Sequence, residues 1–310
     1  MTYRFEVLDL NFQNVPHTIA VYLFRHARGV ALIESGPGST VPALQQALAQ
    51  RGYALSDITD VLLTHIHLDH AGAAGFLARQ GATIHVHPVG APHMLHPEKL
   101  LQSAARIYGD MMDTLWGEFL PVPEERLHVP QDEEAIVIGD LRFLPLDTPG
   151  HAYHHYAYLF EGVCFSGDVG GVRLPLRGTK HLRLPMPPPE FHLEKWRASV
   201  ARLRAAAPRA IVPTHFGPFE DVAWHLDALD RELDDVERFL LQVMPAGPTI
   251  EELQQRLDAW VQAKNRHDGI DEATHRAYET ANPTWMSASG LARYWKKFRQ
   301  NEGADGARRA

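Results

Sequence analysis

Residues 64–70 read Thr64-His65-Ile66-His67-Leu68-Asp69-His70. Four metal-competent side chains, His65, His67, Asp69 and His70, fall within this run. They follow Asp60-Val61-Leu62-Leu63, which reads as a strand feeding a loop. Imidazole nitrogen and carboxylate oxygen suit zinc and neighbouring transition ions. Ligand-type groups packed this tightly repel or crowd one another unless something binds them, so the cluster points to a metal.

Working outward, three further segments have the same construction. His151 follows Leu144-Pro145-Leu146-Asp147-Thr148-Pro149-Gly150, Asp168 follows Val163-Cys164-Phe165-Ser166-Gly167, and His215 follows Ala210-Ile211-Val212-Pro213-Thr214. Each is a short apolar run ending in a polar or glycine-containing turn, then a ligand-type residue. A sheet brings such strand ends to one edge, where loops carry chemistry. Candidate ligands on four strand ends form the pattern of a two-metal site.

At this point the chain resembles the metallo-β-lactamase superfamily of binuclear hydrolases. The resemblance rests on T-H-x-H-x-D-H at 64–70, T-P-G-H at 148–151, S-G-D at 166–168 and P-T-H at 213–215, and it covers roughly residues 15–220. It implies that His65, His67 and His151 hold one metal, that Asp69, His70 and His215 hold the other, and that Asp168 bridges the two. It also implies a four-layer αββα sandwich, where periodicity alone gives only α plus β. The order is more similar to the glyoxalase II-like branch than to the antibiotic-destroying enzymes, because His70 and His215 are both present.

The chain departs from the family in two places. After Asp168 it reads Val169-Gly170-Gly171-Val172-Arg173, without the Tyr of lactone-cleaving relatives or the full glyoxalase II pattern. In Leu32-Ile33-Glu34-Ser35-Gly36-Pro37-Gly38, which resembles the family's early acidic turn, Glu34 stands where Asp is usual. These departures bear on the substrate rather than on the chemistry.

The chain has 310 residues, 45% of them hydrophobic, enough for one large domain with an appendage. No apolar run approaches the ~20 residues of a membrane helix, and the N-terminus carries Glu6 early without a signal-like core, so a cytoplasmic location away from membranes is expected. A net charge of −8 argues against broad nucleic-acid binding. The single cysteine, Cys164, excludes an intrachain disulfide and reads as a buried small side chain.

The expected catalytic domain spans 1–220. Strands are expected at Ile19–Arg25, Val30–Glu34, Thr83–His87, Ala135–Ile138, Leu141–Leu146, Tyr156–Phe160 and Val163–Ser166, besides those before Thr64 and His215. Helices are expected at Val41–Arg51, Ala71–Gln80 and Phe191–Ala206. Residues 88–130, rich in proline and helix-like from Lys99 to Phe119, read as an insertion near the site. Its Met94, Met111, Met112, Trp116 and Phe119 either line a pocket or pack onto the core. Residues 221–302 read as a helical C-terminal subdomain. Val222, Leu226, Leu229, Leu233, Val236 and Leu240 mark an amphipathic helix, Thr249 and Glu252 a capping box opening a second, and Met286, Leu291, Trp295 and Phe298 a last one. Residues 303–310 read as a frayed tail.

The expected function is a binuclear metal-dependent hydrolase of a small ester, thioester or lactone. Two divalent ions, zinc with iron or manganese as alternatives, would share a bridging hydroxide that Asp69 orients as catalytic residue. Thr64, Ser166 and Thr214 could hydrogen-bond the ligands or only satisfy backbone. His154 and His155 would fall on opposite faces of a strand, so at most one meets the site. Arg173, Arg177, Lys180, His181 and Arg183 form either a solvated loop or a rim for an anionic substrate, followed by a stiff connector, 185–189. His85, His87, His93, His96 and His181 read as surface histidines. A homodimer is an open expectation. The competing readings are a phosphodiesterase or nuclease on the same scaffold, a mononuclear iron oxygenase resembling persulfide dioxygenases, and a non-catalytic binding protein.

Overall fold

The computed structural model describes residues 3–300, so the expected tail at 303–310 lies outside the described residues. The first sheet holds β1 (Phe5–Asp9), β2 (Ala20–His26), β3 (Gly29–Ile33), β4 (Ile58–Leu62), β5 (Thr83–His85) and β6 (Leu127–His128), in that spatial order. Its first three strands pair antiparallel and the rest parallel. The second sheet runs β11 (Ala210–Val212), β10 (Val163–Phe165), β9 (Tyr156–Phe160), β8 (Leu141–Asp147) and β7 (Ile136–Ile138), antiparallel except for the β10–β11 pair.

Side-chain alternation sorts these strands into layers. In β2, Tyr22 and Phe24 point into the space between the sheets, while Val21 and Leu23 point outward. In β10, Val163 and Phe165 point inward and Cys164 outward. Phe24 sits at the centre of the inner core, with ring centroids 4.9 Å from Phe143, 5.0 Å from Phe160 and 5.3 Å from Phe165. The thiol of Cys164 is fully buried, and burial pushes it up to about 12.

Helices cover both outer faces. On the first sheet lie α1 (Val41–Ala49), α2 (Leu68–Ala71), α3 (Ala74–Arg79), α4 (Ala91–Leu95), α5 (Glu98–Tyr108) and α6 (Met112–Trp116). On the second lie α7 (Leu193–Ala205), α8 (Val222–Val243), α9 (Ile250–Asp268) and α11 (Thr284–Tyr294), with α10 (Glu272–Ala281) between α9 and α11 in the chain. Leu226, Leu229 and Leu233 of α8 share one apolar cluster with Trp196 of α7 and Ile211 of β11. The result is a mixed α+β sandwich of four layers, with the C-terminal helices in the outer layer on the second sheet. No helix among the described residues is long and apolar enough to cross a membrane.

Local chemistry explains where elements begin and end. The expected capping box is present: Thr249 Oγ1 accepts from the Glu252 N–H at 3.2 Å and Glu252 Oε2 accepts from the Thr249 N–H at 2.9 Å. The helix expected over 71–80 is instead two, because the Ala73 N–H donates to Gly36 O at 2.9 Å rather than back along the helix. The stretch 99–119 is divided at Gly109 and Gly117, whose φ of +51° and +65° ends each helix. Outside the 88–130 stretch, where α4 and β6 were also not expected, two elements escaped the expectation. β1 forms by antiparallel pairing with β2, and α10 is capped by Asp271 accepting from the Thr274 N–H at 2.7 Å.

Replacing Phe24 by Ala should cost about 3–5 kcal/mol of stability. Denaturant titration followed by tryptophan fluorescence should show the unfolding midpoint lowered.

Candidate metal centre

The segments after β4, β8, β10 and β11 carry all seven expected ligand residues, Asp69 and His70 within α2, and the fold brings them together. His65 Nε2, His67 Nδ1 and His151 Nε2 form a triangle, 2.8 Å between His65 and His67, 2.9 Å between His67 and His151, and 3.1 Å between His65 and His151. Asp69 Oδ2 lies 3.5 Å from both His70 Nε2 and His215 Nε2. Asp168 stands between these groups. Its Oδ2 is 3.3 Å from His151 Nε2, and its Oδ1 is 3.3 Å from His70 Nε2 and 3.4 Å from His215 Nε2.

Two glycines make these turns possible. Gly150, at φ +145°, precedes His151, and a Cβ there would stand 2.4 Å from Trp196 Cα. Gly167, at φ +49°, precedes Asp168, and a Cβ there would stand 2.6 Å from His155 Nε2.

The outward-facing nitrogens set the tautomers. His151 Nδ1 donates to Pro185 O at 2.8 Å and His215 Nδ1 to Thr18 O at 2.5 Å. His70 Nδ1 donates to Glu34 Oε1 at 2.9 Å. His65 Nδ1 meets Thr64 Oγ1 at 3.1 Å, and that hydroxyl donates onward to Glu34 Oε1. In the neutral form of these four rings, then, the nitrogens turned toward the centre carry lone pairs. His70 Nε2 and Asp168 Oδ1 are buried with no hydrogen-bond partner among the described residues. Lone pairs facing lone pairs and carboxylates in a buried site call for a cation, and this donor set fits one. Within it, three overlapping groups have the mutual distances to hold a metal: His65, His67 and His151; His65, His70 and Asp168; Asp69, His70 and His215.

The electrostatics agree. Burial holds His65 and His151 below the ordinary imidazole value and His67 at about 4, so this trio is neutral at pH 7. Burial alone would raise Asp69 and Asp168, but the surrounding imidazoles, His70 foremost, override it and hold both carboxyls low. Burial likewise works against a charge on His70 and His215, yet the facing carboxylates pull both upward. That field attracts positive charge to the same point.

Glu34 organises the surroundings. It is fully buried at φ +69°. Its Oε1 accepts from Thr64 Oγ1 at 2.5 Å, Thr214 Oγ1 at 2.8 Å and His70 Nδ1, and its Oε2 accepts from the Thr64 N–H at 3.2 Å. The hydroxyls of Thr64 and Thr214 thus act mainly through Glu34, while Ser166 Oγ has no partner among the described residues. Sequence reasoning noted Glu34 only as a departure. The signal available was a carboxylate directly after the apolar run ending at Ile33.

Of the adjacent histidines, His154 lines the cavity above the centre, whereas His155 lies behind Asp168. Its Nε2 accepts from the Asp168 N–H at 3.2 Å, which orients the loop. Several other expectations change. His85, His87 and His181 are buried rather than at the surface, paired with Asp60 at 2.8 Å, Asp147 at 3.2 Å and Asp268 at 2.6 Å. Among the described residues, no member of the basic run lines the cavity. Arg173 makes a double contact with Asp221, both at 2.8 Å, Lys180 meets the same carboxylate, and Arg183 meets Glu279 at 2.7 Å. In the 88–130 stretch Met111 and Trp116 line the cavity, while Met94, Met112 and Phe119 pack on the core.

The chain is similar in sequence and fold to known proteins. The family model of the metallo-beta-lactamase superfamily matches residues 15–215. A metallo-beta-lactamase fold-containing protein of Sulfurisphaera tokodaii is 23% identical over 65% of this chain and 74% of its own. A hydroxyacylglutathione hydrolase of Fuscovulum blasticum is 28% identical over 81% of this chain and 78% of its own. The crystal structure of a metallo-beta-lactamase family protein from Thermus thermophilus superposes with a TM-score of 0.67 at 23% identity, covering 97% of this chain and 94% of that one, which shows the shared fold.

Glu34→Gln should lower metal affinity about 10–100-fold, since the amide cannot accept from every donor around it. Competition titration against a chromophoric chelator measures this.

Proposed function

The chain belongs to the metallo-β-lactamase superfamily of metal-dependent hydrolases, and from that premise we propose a binuclear enzyme acting on a small ester, thioester or lactone. His65, His67 and His151 would hold one divalent ion and Asp69, His70 and His215 the other, with Asp168 shared. Nitrogen and oxygen donors favour zinc, with iron or manganese as competitors. The observation that carries this reading is the placement of Asp168, whose two oxygens face the two histidine groups separately. The Fuscovulum blasticum relative, by name a hydrolase of an acylglutathione, favours a thioester.

Bound ions would polarise the scissile carbonyl and make a shared water acidic enough to attack at neutral pH. The chain's own residues do the rest. The Asp69 side chain is 21% exposed, against 5% for Asp168, so it is the more open of the two carboxylates. Held ionised, it accepts a hydrogen bond from the attacking water and orients it, while the proton that water gives up passes to the departing oxygen or sulfur. Burial keeps His154 neutral. Its Nδ1 accepts from the Ile66 N–H at 3.4 Å, which leaves Nε2–H to donate toward Glu190 or a substrate oxygen. Asp168 and His155 hold the loop that fixes the spacing of the two histidine groups.

Protein purified without chelator should contain close to two metals per chain by elemental analysis and should turn over members of an ester, thioester and lactone panel. His67→Ala and Asp168→Ala should each lose metal and at least about 100-fold in kcat/KM, with an unchanged circular dichroism spectrum. Full hydrolysis by both variants would refute the site. One iron per chain without hydrolysis would favour the oxygenase reading.

A further inference from the structure

The metal-competent cluster forms the floor of a cavity of about 500 Å³, within the range of pockets that bury most of a small ligand. One wall is the apolar stripe of α5 and the turn after it. Leu100, Ala104, Ile107, Tyr108 and Met111 recur there at three- and four-residue intervals. The facing wall includes Trp285 and Met286 of α11. Met111 is 49% exposed and Trp285 37%, large apolar surfaces left open beside this space. The hydroxyl of Tyr108 is directed to Met286 Sδ at 3.5 Å.

Charge is scarce around these walls. Lys99 is the one lysine or arginine lining the cavity among the described residues. Arg173, Lys180 and Arg183 are committed to Asp221 and Glu279. A phosphate-bearing or strongly anionic tail would find one exposed cation and much apolar surface it cannot hydrogen-bond.

We propose that the substrate carries a large apolar acyl group, which lies between α5 and α11 while its carbonyl rests on the metal centre. This assignment rests on the hydrolase reading for its chemistry, but the apolar seat can be measured separately.

The kinetic test compares kcat/KM for p-nitrophenyl acetate, butyrate and octanoate. Efficiency should rise about two- to fourfold per methylene until the chain fills the cavity. Ile107→Asp should reduce the octanoate-to-acetate ratio at least tenfold. Met111→Asp, at a half-exposed position, should act in the same direction without threat to the fold. Efficiency that stays flat or falls with chain length overturns the proposal and leaves the hydrolase reading standing.

If no ester turns over, the hydrolase reading passes to the thioesters and lactones of the panel, and calorimetric binding of octanoate against acetate decides the proposal by itself. The two share a carboxylate head, so their difference reads the tail alone. Octanoate at least tenfold tighter, with the advantage lost in Ile107→Asp, supports the apolar seat. Equal affinities overturn it.

Discussion

The carboxylate of Glu34 is the interaction on which the centre depends. A buried charge costs several kcal/mol unless it is fully hydrogen-bonded. Here the compensation comes from Thr64 after β4, Thr214 after β11 and His70 in α2. Those donors belong to both sheets and to the helix between the ligands. One side chain therefore ties the two halves of the sandwich at the edge where the chemistry sits. Its left-handed backbone, unusual for a non-glycine residue, persists because this network determines it on every side.

The second constraint is the proton inventory of the histidines. A neutral imidazole has one donor and one acceptor. Pro185 O, Thr18 O, Glu34 and Thr64 take the protons of His151, His215, His70 and His65. The lone pairs are thereby aimed inward in advance, which is the usual role of groups behind a ligand shell. Burial supports this by keeping His65, His67 and His151 uncharged. Away from the centre, His85 and His181 are buried on the same principle, each with a carboxylate partner.

The C-terminal helices serve both packing and the cavity. α8 and α9 bury leucines against α7 and the second sheet. α11 presents Trp285 and Met286 to the space above the metal-competent cluster. The basic residues after Asp168 fasten this layer: Arg173 lies 3.9 Å from the Phe219 ring centroid and 4.5 Å from that of Trp224, beside Asp221. Arg173, Lys180 and Arg183 are thus held by carboxylates and do not line the cavity.

Much of the fold was legible because it is written in short periods. An apolar run marks Tyr156–Phe160, a leucine repeat marks Val222–Val243, and Thr249 with Glu252 marks the start of α9. The ligand residues were legible because they cluster at the ends of apolar runs, four of them from His65 to His70. β1 and α10 were not, since one depends on pairing with β2 and the other on a cap at Asp271. Sequence alone determined the donor chemistry and the strands that deliver it, because residue type and local periodicity are properties of neighbours in the chain. Only the tertiary structure decided that Glu34 joins the sheets, that His154 faces the cavity while His155 braces Asp168, and that the basic run holds helices. Each of those assignments is a choice among hydrogen-bond partners distant in sequence, and burial and proximity make that choice only once the layers have packed.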